Sequence, residues 1–381
     1  MPIRHSQRPS FGFLTRWLRE DPADPNPLRG HAMKKFSKAV IHLGGPKTGS
    51  TILQRTLDAS RNQLLRAGLI AYPEGSWHAP LGSCFASKPA AYVYNVLAPP
   101  PSRASRRRRD RRYLRNLTHW LDAAPPCEAL VISYEGFPDL DPKGLLRLRN
   151  FCREWAARIQ AVHYVREPIS YATSAYSQSI QFGILPEVPP IAHHQHQLEK
   201  IAGAFFDDSI SVREWRPKDQ SDWCVVSDFL AAIGHADARQ SLQESKADNR
   251  VLSAASIAFG KGVIGALEAA RQLPPANIFY ERIGSQFRLF PGDRFSLTSA
   301  EADDVRRRTS DQNQYLTDNW GVHFVKSAPS AGRDRTNCTT SHEQLGRHFA
   351  AEYLKNQPAA TRWGLLQRML KKNRLRRPAA A

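Results

Sequence analysis

The segment Gly44-Gly45-Pro46-Lys47-Thr48-Gly49-Ser50-Thr51 concentrates the residue types that hold a phosphate or sulfate group. Glycines let backbone N–H groups converge on an anion, Lys47 brings a mobile ammonium, and Thr48, Ser50 and Thr51 bring hydroxyls. If a helix begins at Ser50, its dipole adds about half a positive charge at the same place. The spacing departs from the nucleoside-triphosphate loop Gly-x-x-x-x-Gly-Lys-[Ser/Thr], in which Lys follows the last Gly directly. Here Lys47 stands two residues before Gly49.

Such a loop acts only if a strand delivers it and a helix receives it, and the flanking pattern predicts both. Lys38–Leu43 is a short apolar run, as expected of a strand buried on both faces. From Ser50 the apolar residues Ile52, Leu53, Leu57, Leu64 and Leu65 recur at helical steps until Gly68. Further strands are expected at Leu69–Tyr72, Ala129–Ser133, Ile159–Val165 and Ser209–Val212. Helices are expected at 144–156, from about Tyr171, and at 225–234, 253–271, 299–315, 341–355 and 361–372. The stretch around Pro99–Pro101 and the Arg-rich residues 103–115 reads as less regular, followed by a helix through Trp120. Strands alternating with helices predict an α/β fold: a P-loop-like three-layer α/β/α core with a mostly parallel central sheet and a helical C-terminal region. The expected division is a basic arm at 1–35, one α/β domain at 36–356 and a basic amphipathic tail at 357–381.

Pro46-Lys47-Thr48-Gly49-Ser50-Thr51 after a buried strand resembles the 5′-phosphosulfate loop of sulfotransferases that use 3′-phosphoadenosine-5′-phosphosulfate (PAPS). The resemblance implies a second element at the end of a later strand: an Arg, a Pro two residues on, and a Ser eight residues after the Arg, clasping the 3′-phosphate. Arg166, Pro168 and Ser174 have that order and spacing after the fourth expected strand. Arg166 offers a bidentate fork suited to a phosphate dianion. The chain is also similar to bacterial sulfotransferase-like proteins at Ser174-Ala-Tyr176-Ser-Gln178, Ser227–Gly234 and Asn249–Ser253, so the likeness spans about residues 36–320. It lacks the C-terminal Arg-Lys-Gly element of the cytosolic enzymes. The implied PAPS-binding set is Gly45, Pro46, Lys47, Thr48, Gly49, Ser50, Thr51, Arg166 and Ser174.

Sulfuryl transfer is an in-line displacement at sulfur, with charge building on the leaving phosphate oxygen. Lys47 and the loop amides would meet that charge. A base must take the acceptor proton, a contribution of about 10²–10⁴-fold. Three residues compete for that role. Glu135 follows the third strand, where the cytosolic relatives carry a catalytic His. Glu74 follows the second, where heparan-type relatives carry a catalytic Glu. His78 has a suitable pKa. All three would lie at carboxyl ends of strands, where open α/β sheets bind ligands. No metal is expected, and PAP would be the released product. The resemblance implies a hydroxyl or amine acceptor on a carbohydrate or lipid-linked glycan. The alternatives are a P-loop kinase, which predicts Mg²⁺–ATP dependence, and a non-catalytic nucleotide-binding relative.

The net charge of +19 is unevenly spread over the 381 residues. Residues 1–35, 103–115 and 361–377 carry +4, +7 and +7, which leaves the remaining chain near +1. A polyanionic acceptor or an anionic membrane surface suits these segments, the latter through Trp363, Leu366, Met369 and Leu370 in the tail. Nucleic acid is disfavoured for want of a recognised fold or interleaved stacking aromatics. With 41% hydrophobic and 23% charged residues, the composition is that of a globular protein, and no run approaches the roughly 18 apolar residues of a membrane span. Five widely spaced cysteines form no disulfide or zinc pattern. The expected location is the cytoplasm, with a peripheral membrane association through the tail. His193, His194 and His196 are expected in a loop without the partners to complete a metal site.

Overall fold

A computed structural model describes residues 34–71, 79–97, 100, 102–216, 223–243, 251–324 and 336–355. The expected arm, apart from Lys34 and Lys35, and the expected tail lie outside the described residues, as do Glu74 and His78.

Five strands form one sheet: β1 (Phe36–Gly44), β2 (Leu69–Ala71), β3 (Cys127–Ser133), β4 (Ala156–Arg166) and β5 (Ser209–Trp215). Their order is β2-β3-β1-β4-β5, and every pairing is parallel. Helices join them: α1 (Ser50–Ala59), α2 (Arg61–Arg66), α3 (Ala79–Phe85), α4 (Val93–Leu97), α5 (Arg103–Ala123), α6 (Pro142–Trp155), α7 (Pro168–Gln181) and α8 (His194–Ala204). After β5 the chain is helical: α9 (Val225–Ala232), α10 (Ala254–Ala269), α11 (Ala276–Arg282), α12 (Ser299–Trp320) and α13 (Thr336–Lys355).

The continuous apolar runs make sense in this setting. β1 lies between β3 and β4, so both its faces must be apolar. Ile41 and Leu43 pack into one cluster with Leu117, Leu121 and Leu148, while Val40 packs into the opposite one with Leu53, Leu57 and Phe229. A third cluster, built from Ile180, Phe259, Phe279, Phe287, Val305 and Phe349, holds the C-terminal helices against α7. Edge strand β5 is only half-buried and carries the Arg213–Asp228 ion pair, whose charge discourages pairing with another chain.

Helix boundaries follow sequence signals. Ser102, Asp141, Glu167, Ser253 and Thr298 each accept a first-turn N–H, and Pro142 and Pro168 sit just inside their helices. Two expectations need correction. The Arg-rich segment is not irregular: it is the amino-terminal half of α5, because Arg is a good helix former and Ser102 caps it. His194 and His196 are not in a loop but open α8, whose apolar residues Leu198, Ile201 and Ala204 bury against the sheet. Pro189–Pro190 hid that start by breaking the pattern just upstream. Among the described residues no helix is long and apolar enough to cross a membrane.

Candidate functional site

β1 and β4 are neighbours, but the chain leaves β1 toward β2 and β3 and leaves β4 toward β5. Neighbouring strands with diverging connections open a crevice at their carboxyl ends, which is where α/β sheets bind ligands. Four strand ends meet there. The Gly44–Gly49 loop follows β1, Glu135 follows β3, Arg166 ends β4 and Trp215 ends β5.

The loop begins at an irregularity, where His42 pairs with Val162 but Gly44 already pairs with His163. It then lies so close to its neighbours that only glycine fits. A Cβ on Gly44 would come 2.7 Å from the Glu135 Cα, and one on Gly45 would come 2.3 Å from the Tyr164 carbonyl oxygen. Thr48 closes the turn, its N–H and hydroxyl donating to the Gly45 carbonyl at 3.3 and 2.6 Å. That hydroxyl is used inside the loop, so Thr48 shapes the site. Gly49, at φ 85°, leads into α1 without any side-chain cap. The first-turn N–H groups of Ser50 and Thr51 therefore have no intrahelical acceptor. The Ser50 hydroxyl is buried without a hydrogen-bond partner. An anion seated against these donors would satisfy all of them, so the loop fits the phosphosulfate group expected there.

Arg166 is buried, with 5% of its surface exposed, and its guanidinium joins the two halves of the site. Nη1 donates to the Lys47 carbonyl at 2.6 Å, while Nε and Nη2 donate to the Ser170 hydroxyl at 2.9 and 2.8 Å. The Trp215 ring lies 3.8 Å from its Cζ, as the pairing of Arg166 with Trp215 across β4 and β5 requires. Ser170 and Ser174 both lie on α7, one turn apart, and Ser174 is buried there. The direct partner, Ser170, was not among the expected site residues. Its four-residue spacing from both Arg166 and Ser174 was the available signal.

Lys47 is half-buried, and that burial, reinforced by Arg166, pulls its ammonium pKa down to about 8; Glu135 opposes the shift, and Arg288 adds to it. Glu135 presents an exposed carboxylate to the crevice but is walled by protein, which pushes its pKa up against the pull of Lys47. Crevice water moderates this shift. Asp139, four residues on, also raises Glu135; Asp139 keeps exposed surface, and the protein packed around its carboxyl raises it while Lys200 and Gln197 pull it back down. Asp139 and Arg288 were missed by sequence reasoning, since no local pattern links a turn after β3, or one at Gly284–Leu289, to the loop. The strand ends thus bring together the loop residues Gly45, Pro46, Lys47, Thr48, Gly49, Ser50 and Thr51 with Arg166 and Glu135, whereas Ser174 is placed on α7 one turn beyond Ser170, the hydroxyl that Arg166 engages.

No protein-family model matches this chain, and neither a curated protein nor a solved structure does. The chemistry of the site must therefore be read from its residues. Two cationic side chains, a ring of N–H and hydroxyl donors and one carboxylate suit a ligand with several anionic groups and a group-transfer step beside it.

Behind the loop lie three buried histidines. His42 Nδ1 is 2.7 Å from the Ser133 hydroxyl, and Gln54 of α1 donates to Ser133 at 3.1 Å, which ties α1 to the end of β3. The His194 Nε2 accepts from the Arg166 N–H at 3.4 Å, and His163 lies beside it. Among the described residues no group of His, Cys, Asp and Glu is placed to hold a metal ion. Burial lowers the pKa of His194 to about 4 and that of His42 to about 3. The unfolded chain therefore binds protons that the folded one refuses. Stability should be full above about pH 6.5 and fall as the pH drops toward 4, with His194 alone costing about 3 kcal/mol. Urea unfolding at pH 7 and pH 4.5 should show this loss, and it should shrink in His194→Gln. An unchanged loss in that variant would remove His194 as its source.

Proposed function

We propose that this chain is a PAPS-dependent sulfotransferase. One observation carries the reading: Arg166, at the end of β4, donates to the carbonyl of Lys47, 119 residues earlier in the loop after β1. Two motifs that resemble the 5′-phosphosulfate loop and the 3′-phosphate clasp are thus joined at the crevice of the sheet. The unpartnered Ser50 hydroxyl and the uncapped start of α1 support the same reading.

In the proposed reaction an acceptor oxygen or nitrogen forms a bond to sulfur as the bond from sulfur to the 5′-phosphate oxygen breaks. The leaving oxygen of PAP takes the electron pair. The Lys47 ammonium, the Ser50 hydroxyl and the first-turn N–H groups of α1 stabilise that charge. Glu135, across the loop, receives the acceptor proton. Its raised pKa makes it a better base than an ordinary surface carboxylate. Arg166 and Ser174 hold the 3′-phosphate, and Trp215 keeps the guanidinium plane in place. The acceptor is a hydroxyl or amine on a carbohydrate.

Thermal unfolding with PAP, 5′-AMP and Mg²⁺–ATP tests the assignment. PAP at 100 times its Kd should add about 2.7 kcal/mol of stability, and the other two should add far less. Ser174→Ala should weaken the PAP shift while leaving the unliganded melting point nearly unchanged, and Arg166→Ala should abolish it. Preferential stabilisation by Mg²⁺–ATP would instead make the protein a phosphotransferase. PAP binding without turnover on any acceptor would make it a non-catalytic relative.

A further inference from the structure

We infer that the outer face of α5 is a docking site for a linear acidic polysaccharide. The inference rests on the sulfotransferase reading for the choice of a glycan, but the surface itself stands on separate observations.

Tyr113, Leu117 and Leu121 face the core, one turn apart. Arg108, Arg111, Arg112 and Arg115 fall on the opposite side of the helix, and all four are exposed. Together they line an open concavity of about 290 Å³. Among the described residues none of the four has a carboxylate partner. By contrast, the neighbouring Arg109 pairs with Asp110 and bonds Asn95 at 2.7 Å. Four like charges crowded along about 10 Å of helix repel one another, so the arrangement gains from an anion.

The position matters as much as the charge. The carboxyl end of α5 lies at the amino edge of the sheet, where Lys35 donates to the Leu121 carbonyl at 2.8 Å just before β1 begins. The arginine-bearing half therefore points toward the other edge, where the crevice opens. Arg109 bonds Asn95 of α4, and Tyr92 just before α4 donates to the Gly136 carbonyl at 2.8 Å, next to Glu135. A chain lying along α5 is thus led past the wall of the crevice.

The chemistry narrows the occupant. Guanidiniums spread over two helical turns match sulfate or carboxylate groups repeated along a chain better than a single phosphate. Of the aromatic side chains of α5 only His119, one turn beyond Arg115, is exposed; Tyr113 is buried and Trp120 partly so, and a single imidazole is not the run of rings on which successive bases stack. The apolar face of α5 is packed in the core and cannot enter a bilayer.

The test is the affinity of the full chain for a heparin-derived oligosaccharide at fixed salt, without nucleotide. One variant combines Arg108→Gln, Arg111→Gln, Arg112→Gln and Arg115→Gln. A control combines Lys371→Gln, Lys372→Gln, Arg376→Gln and Arg377→Gln, which removes the same charge from the tail. The α5 variant should lose about tenfold or more in affinity with a flatter salt dependence, while the control should lose less than about threefold. Equal losses would reduce the effect to net charge and overturn the proposal. So would a greater dependence on α5 for a single-stranded oligonucleotide of matched charge, or for phosphatidylserine vesicles. The PAP-induced thermal shift, read on the same variants, keeps the two readings apart. If PAP stabilises every variant but glycan affinity ignores α5, only the docking site fails. If PAP stabilises none, wild type included, the sulfotransferase reading fails whatever α5 does.

Discussion

Lys47→Met should lower kcat for sulfuryl transfer by about 10³-fold while PAP still stabilises the folded protein. The loop donors and Arg166 would continue to hold the nucleotide, but the mobile ammonium of the loop, which would meet charge on the leaving oxygen, would be gone. Its environment adds a pH signature. Burial and Arg166 hold the Lys47 pKa near 8 in the free protein. The ammonium is therefore mostly present at pH 7 and is lost as the pH rises through 8. Because kcat/KM reports the free protein, it should fall on the alkaline side with an apparent pKa near 8. Lys47→Arg, whose charge survives to far higher pH, should shift that limb upward even if its rate is low. An alkaline limb that stays near 8 in Lys47→Arg would assign it to another group.

Glu135→Gln should cost about 10²–10⁴-fold in kcat, the usual worth of a positioned base. Glutamine keeps the shape of the side chain beside Gly44, where the backbones are already in close contact, so PAP binding should survive. The acid limb of the rate profile should disappear with the carboxylate. Glu135 also faces Lys47, so its removal should lower the Lys47 pKa further and move the alkaline limb down. That coupled shift is something a residue with only a structural role would not produce. If Glu135→Gln retains full turnover, the base is one of the other two residues considered, and Glu74→Gln and His78→Gln become the deciding variants.

Much of this architecture is visible in local patterns. The apolar runs at Lys38–Leu43, Ala129–Ser133 and Ile159–Val165 could be read as buried strands because a central parallel strand has no solvent face to mark with polar residues. The loop could be read from its glycines, whose absence of Cβ is a property of single positions. The misreadings arose where one local signal masked another. Dense arginine suggested an irregular surface stretch, although α5 needs only one stripe of apolar residues to dock. Pro189–Pro190 obscured α8, whose buried stripe starts a few residues later.

The residue types and spacings of the chain were enough to specify an α/β fold with a glycine-rich loop after the first strand, and to single out a distant Arg and Ser as proposed partners of that loop. Strand order and side-chain partnership were not legible, because they depend on which segments pair across more than a hundred residues. The order β2-β3-β1-β4-β5 is what puts Arg166 against Lys47, pairs it with Trp215 and makes Ser170 its nearest hydroxyl partner. It is also what brings Asp139 and Arg288 into the electrostatic field of the loop. A sequence motif encodes chemistry residue by residue, whereas the protein surroundings that lower Lys47 and raise Glu135 exist only once the strand ends have closed around them.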